Sequence, residues 1–429
     1  METQTCELAK IMLISEKNEH PVRIHNVAHG LDFGFIDADH DGALSERVRT
    51  VRLFGDPSID AGFDPKSGGF RIEEISTSGS VPTLRASNQT PFDVLLIAGQ
   101  LVRGGKQNRG INADLLVASG QVAVIPVTCV ERGRWSGDSR SGFEHGGFEP
   151  AHLRRGKMAE VHMHRKVGRA PVANQSRVWS EVDAITESLN ARSQSADLLV
   201  AMRADRYAQR ASRRSTASQT EIEAEIASTR GACTRVNELL RALIESGGEA
   251  EHYRSLTRQL ADLTARLAEL EQARAGLSLG LDSEKLREKL ERAREAAAGA
   301  SGMLVFIGGE FVTGDLFANP DWFARMYGDL SLSATTSYEA LVSRDRNLRR
   351  SDGVTQGRAD SIVRDALHGN WIEQPPIAHG RSRLLEHPYL ESAATLDADG
   401  TPLHVVIGTR HSQHPQAPGE FDRRRSPRR

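Results

Sequence analysis

The chain has 429 residues with 55 basic and 57 acidic side chains, and it is 38% hydrophobic but only 5% aromatic. So balanced a charge supplies no field to steer it to nucleic acid or to an anionic membrane surface, and no run approaches the roughly 18 apolar residues of a membrane span. Cys6, Cys129 and Cys233 are too far apart for a disulfide framework or a zinc signature. With a first segment that lacks the basic and apolar parts of a signal peptide, they lead us to expect a cytoplasmic chain.

Residues 1–68 are rich in Gly, Asp and His, lack sustained periodicity and read as an N-terminal extension. Asp37-Ala38-Asp39-His40-Asp41-Gly42 resembles the start of a calcium loop. Its twelfth position is Val48, where an EF-hand needs a bidentate Glu, so an Asp-rich turn is the better reading. Short β-branched and aliphatic runs follow at 70–75, 83–86, 92–97, 115–117 and 122–127, separated by turn formers. They predict an antiparallel sheet or sandwich, with Pro126 marking an edge or a bulge. Residues 133–156 read as a long surface loop. Val178, Val182, Ile185 and Leu189 then form one apolar stripe of a helix near 175–190, and a second helix is expected near 195–213.

The clearest periodic signal begins at Thr220, which has the capping-box spacing with Glu223. Ile222, Ile226, Thr229, Cys233, Val236, Leu240 and Leu243 keep an unbroken 4-3 alternation up to Ser246-Gly247-Gly248. Tyr253, Leu256, Leu260, Leu263, Leu267 and Leu270 resume it, with a break from Gly276 to Gly280, and the two arms read as an antiparallel coiled coil. A third helix starts near Ser283, and 303–307 is a return strand. Helices near 321–328, 338–344 and 358–367 and strands near 393–396 and 403–407 complete the pattern. The tail ends Arg423-Arg424-Arg425-Ser426-Pro427-Arg428-Arg429, has no interleaved aromatic residues to stack bases, and reads as disordered.

These elements predict an α+β fold: an antiparallel, β-rich, sandwich-like domain with packed helices, interrupted by a long antiparallel helical hairpin. The expected parts are the extension 1–68, a first domain segment 69–217, the hairpin insertion 218–300, a second domain segment 301–410 and the tail 411–429.

One loop stands out chemically. Gly104-Gly105-Lys106-Gln107-Asn108-Arg109-Gly110-Ile111-Asn112 sets two cations and three carboxamides between glycines. Glycine lets a backbone approach a ligand, Lys and Arg supply charge, and amides read a base or a ribose. The P-loop spacing is absent, and a solvated hairpin turn would give the same composition. Cys129 lies in an apolar strand pattern and reads as a structural thiol. Glu131, two residues on, shares its strand face, but a Cys–Glu pair without a histidine is a poor dyad. His162 and His164, with His152 near, read as surface histidines on one strand face. Like His20, His25 and His29, they lack a metal-ligand spacing, so no metal is expected.

Several blocks resemble a known family. They are Ser78-Gly79-Ser80-Val81-Pro82, Ala98-Gly99-Gln100-Leu101, the Lys106–Arg109 loop with Asn112, the run from Ile125 to Trp135, Gln175-Ser176-Arg177-Val178-Trp179, the run from Phe311 to Phe317, and Ser337-Tyr338. In this order they are similar to the ARG and rhodanese-phosphatase-superfamily-associated protein domain, over about residues 70–215 and 302–407. The resemblance implies a link to ADP-ribose, phosphate or sulfur metabolism or to conflict systems, with no settled reaction or cofactor. It adds Glu131, Arg134 and Trp135 to Lys106, Gln107, Asn108, Arg109 and Asn112 as ligand-binding candidates. Family members tend to carry Glu where this chain has Gln100. Two functions stay open: a site for a phosphate-bearing small molecule at the loop, or an interaction protein using 218–300 to oligomerise or recruit a partner.

Overall fold

The computed structural model describes residues 20–37, 48, 50–56, 59, 69–135, 142–189, 191, 196–202, 215–246, 250–278 and 283–409. The chain divides into two compact units, residues 1–202 with 289–429, and residues 203–288.

In chain order the first unit holds β1 (Val22–Ala28), β2 (Leu31–Ile36), β3 (Val51–Leu53), β4 (Phe70–Glu74), β5 (Thr83–Asn88) and β6 (Asp93–Leu96). Then come β7 (Gln100–Gly104), β8 (Arg109–Ile111), β9 (Leu115–Val117), β10 (Val122–Cys129), β11 (Phe143–Phe148), and helices α1 (Ala151–Lys166) and α2 (Gln175–Ser188). The second unit contains α3 (Ser215–Glu245) and α4 (Ala250–Ser278), and α5 (Ser283–Ala296) leads back. The rest is β12 (Gly302–Ile307), β13 (Glu310–Phe317), α6 (Pro320–Arg344), α7 (Gln356–His368), β14 (Asn370–Gln374), β15 (Arg381–Glu386), β16 (Leu390–Leu396) and β17 (Pro402–Thr409).

The fold is α+β with largely antiparallel sheets. Eight strands pair in the order β1-β2-β12-β13-β17-β16-β15-β14, and six in the order β11-β7-β8-β10-β5-β4. A third sheet, β3-β6-β9, contains the parallel pair β3–β6. The central strands of the large sheet are buried throughout, as expected where both faces are covered. On one face Leu304, Phe306, Leu316, Val405 and Ile407 pack on Ala359, Ile362, Val363 and Ala366 of α7. By the two-residue alternation of a strand, Asp315, His404 and Val406 face the other way, toward α1. The six- and three-stranded sheets share a core of Ile72, Leu84, Val94, Leu96, Ile111 and Ile125. Val178, Val182 and Ile185, the apolar stripe of α2, are buried against Leu101, Leu153 and Leu198.

In the second unit, α3 and α4 contact one another. Ile226, Thr229 and Val236 of the 4-3 stripe are buried, and Leu256, Leu260 and Leu263 are less exposed than their neighbours. Gly276 lies inside α4, where a break was expected. None of the described helices is long and apolar enough to cross a membrane.

Several expectations need correction. Residues 22–36, with no readable period, form β1 and β2 of the large sheet. The expected loop at 133–156 contains β11 and the start of α1. His152, His162 and His164 are on a helix, and the first two are buried. Pro126 is on an internal strand: it is the last residue of β10 paired with β5, and Val127 begins the pairing with β8. Its missing N–H therefore falls where the strand changes partner. The two helices expected at 321–328 and 338–344 are one, α6, whose Ser331 and Thr335 hydroxyls donate to carbonyls four residues back. Most of the helix expected near 195–213, the bulk of the Asp37–Gly42 run and the Arg-rich tail lie outside the described residues.

Candidate functional site

The loop between β7 and β8 is fastened by its own polar residues. Asn108 accepts from Gly104 N at 3.1 Å through Oδ1, donates from Nδ2 to Asp197 Oδ2 at 3.1 Å, and its backbone N–H donates to Glu131 Oε2 at 3.1 Å. Arg134 grips Glu131 from Nε, at 2.9 and 3.0 Å to the two oxygens, and donates from Nη1 to Gly105 O at 2.7 Å. A β-bridge between Glu131 and Asp197 ties in the segment after α2. Asn108, Glu131 and Arg134 therefore hold the loop's shape.

Arg109 is the outlier. It is fully buried. Nη1 donates to Gln107 Oε1 at 3.2 Å, and Nη2 stands 4.0 Å from Glu74 Oε1. Neither Nε nor Nη2 has a hydrogen-bond partner among the described residues, and neither does Glu74 Oε2. Burial pulls the Arg109 pKa down, with Cys129 and Glu74 opposing the shift. Each buried polar group left without a partner costs roughly 1–3 kcal/mol. Above this guanidinium lies Trp135, 46% exposed, its ring centroid 5.6 Å from Arg109 Cζ and 5.9 Å from Lys106 Nζ. Two cations so lie within cation–π range of one half-exposed aromatic ring.

Cys129 Sγ donates to Gln107 Oε1 at 3.1 Å, and burial pushes its thiol pKa up. That is the setting of a structural thiol. Gln100 is fully buried, accepts from Ile97 N at 2.8 Å and donates to Phe54 O at 2.8 Å. An ionised Glu there would lose the second bond, so in this chain the amide closes a turn.

Asn112 is not with the other candidates. It accepts from Thr128 Oγ1 at 2.6 Å, donates to Pro171 O at 3.2 Å, and lines two small cavities along α1. These cavities border a buried charge network that sequence reading missed. Arg154 donates to both oxygens of Asp315, at 2.9 and 2.7 Å. His404 sits between Asp114, 2.7 Å from Nδ1, and Asp315, 3.3 Å from Nε2. Burial disfavours the imidazolium, but the two aspartates prevail and raise the His404 pKa to about 9. Burial likewise opposes ionisation of Asp315, yet Arg154 holds its carboxyl well below the usual range. Lys157 donates to Glu149 at 2.7 Å, and burial drives each toward its neutral form. The network balances cations and anions and fastens α1 to two sheets. No sequence signal marks it, because its members are as much as 290 positions apart. Among the described residues, no group of three or more His, Cys, Asp or Glu side chains is placed to hold a metal ion.

Comparisons with curated proteins and with solved structures found no match. The model of one family matches residues 58–407, a span that begins after β1 and β2 and ends within β17. The chain thus belongs to the ARG and Rhodanese-Phosphatase-superfamily-associated Protein domain family.

Proposed function

We propose that the chain binds a phosphate-bearing nucleotide or ADP-ribose-type ligand at the Lys106–Arg109 loop. The observation that carries this reading is Arg109: a fully buried guanidinium with two nitrogens lacking hydrogen-bond partners, under a half-exposed tryptophan. An anionic oxygen would satisfy both nitrogens, and Lys106 would add a second charge. Trp135 would stack on the base or shield the phosphate from water. Asn108, Glu131 and Arg134 position the loop, and Gln107 orients Arg109.

Calorimetric titration of the full chain with ADP-ribose, NAD and a nucleoside diphosphate tests this. At least one should bind, and Arg109→Ala should weaken it about tenfold or more, the worth of a charge-assisted hydrogen bond. Trp135→Ala should also weaken it while leaving the melting temperature nearly unchanged, since the ring is half exposed. Absence of binding by all three, or equal binding by Arg109→Ala, refutes the proposal.

A second reading has its own support. Leu239, Ile244 and Tyr253 of α3 and α4 are 56%, 63% and 45% exposed. In this reading 218–300 forms a coiled-coil hairpin that pairs with a second copy or a protein partner. Sedimentation of the full chain beside a chain lacking 218–300 decides it, and a monomeric full chain at micromolar concentration counts against self-association.

A further inference from the structure

Glu74 was not among the residues singled out by sequence, yet it faces Arg109. It ends β4 and is buried, although the turn that follows it, Ile75 to Ser78, is exposed. Oε1 accepts from Lys106 N at 3.1 Å and lies 4.0 Å from Arg109 Nη2, while Oε2 has no hydrogen-bond partner among the described residues. Gly79, at φ +78°, packs beside both groups: a Cβ there would stand 3.4 Å from Oε2 and 2.8 Å from Lys106 Cδ, so the flexible Lys106 chain lies over the space next to Oε2. A buried acceptor and two buried donors thus lie unused within one carboxylate of each other, beside an exposed turn.

The two signs decide what fits. A fully ionised anion such as sulfate engages the cations alone and is repelled by the carboxylate. A ligand with a hydroxyl beside its phosphate satisfies both, because the hydroxyl donates where the phosphate accepts. We propose that Glu74 is a specificity-determining residue: its Oε2 accepts from a sugar hydroxyl of a ligand whose phosphate is held by Arg109 and Lys106, so the site takes sugar phosphates over anions that carry no hydroxyl. This rests on the anion-binding reading of Arg109 given above.

The test is titration of the full-length protein with ribose 5-phosphate and with sulfate, for the natural chain and for Glu74→Gln, with a melting curve for each. The natural chain should prefer the sugar phosphate about tenfold or more. Glu74→Gln should bind sulfate as well or better and lose the preference. Sulfate binding as tight as that of ribose 5-phosphate in the natural chain overturns this inference alone and needs no variant. Failure to bind either probe overturns the anion-binding reading with it. A preference retained in Glu74→Gln, or equal weakening of both probes together with a lowered melting temperature, reduces Glu74 to a structural neighbour of Arg109 and also overturns the inference.

Discussion

His404 makes the stability of this fold depend on pH between 6.5 and about 9. Its imidazole is fully buried between Asp114 and Asp315, with Arg154 sharing the Oδ1 oxygen of Asp315 and the Phe317 ring centroid 4.7 Å away. Its pKa rises from 6.5 to about 9 in the folded chain. Below pH 6.5 folded and unfolded chains both hold the proton, and the full contribution is present. Between 6.5 and 9 only the folded chain keeps it, so stability falls as pH rises and the contribution is lost above 9. At about 1.36 kcal/mol per pKa unit, the loss is about 3 kcal/mol. Urea unfolding of the natural chain and of His404→Gln, at intervals from pH 6 to 9.5, measures it. Other titrating groups largely cancel in the difference between the two proteins. The gap should be widest near pH 6.5 and narrow by about 3 kcal/mol toward pH 9.5. Stability curves that run parallel across the window would refute a charged His404.

Arg109→Met combined with Glu74→Gln should abolish ligand binding yet leave stability within about 1 kcal/mol, because both members of a loosely placed buried ion pair are made neutral together. A clear fall in the urea midpoint would show that the pair serves the fold. Gly110→Ala should have the opposite character. Its Cβ would stand 1.7 Å from Glu149 Oε1 and 3.0 Å from Lys157 Nζ, wedging apart a buried ion pair. A loss of about 3 kcal/mol or more is expected in the same unfolding assay, and a near-neutral midpoint would show that Glu149 has room to move.

The elements legible in the sequence are those whose buried positions are apolar, on one side of a helix or on both faces of a strand. α2 buries a clean stripe, α3 and α4 cover Ile226, Thr229 and Val236 and partly cover Leu256, Leu260 and Leu263 of their 4-3 pattern, and β12 is a dense apolar run. α1 was hidden because it buries Arg154, Lys157, His162 and Arg165, so its inward face reads as polar. α6 was split because its middle buries Ser331, Ser333, Thr335, Thr336 and Ser337. The loop residues of the candidate site were legible through their local composition. Glu74 and Asp197 were not, since each reaches the loop only through the fold, Glu74 bonding Lys106 across 32 positions and Asp197 bonding Asn108 across 89.

The pairing of β2 with β12 has a temporal consequence. It sets Ile36 opposite Gly302 and Leu31 opposite Ile307, so the large sheet cannot close until some 270 intervening residues have been synthesised. Closing so long a loop carries an entropic cost before any contact repays it. The helices α3 and α4 lie within that interval and depend on local contacts, which form early. Until β12 emerges from the ribosome, β2 presents an unpaired apolar edge, and the nascent chain is most open to mispairing while the second unit is being made.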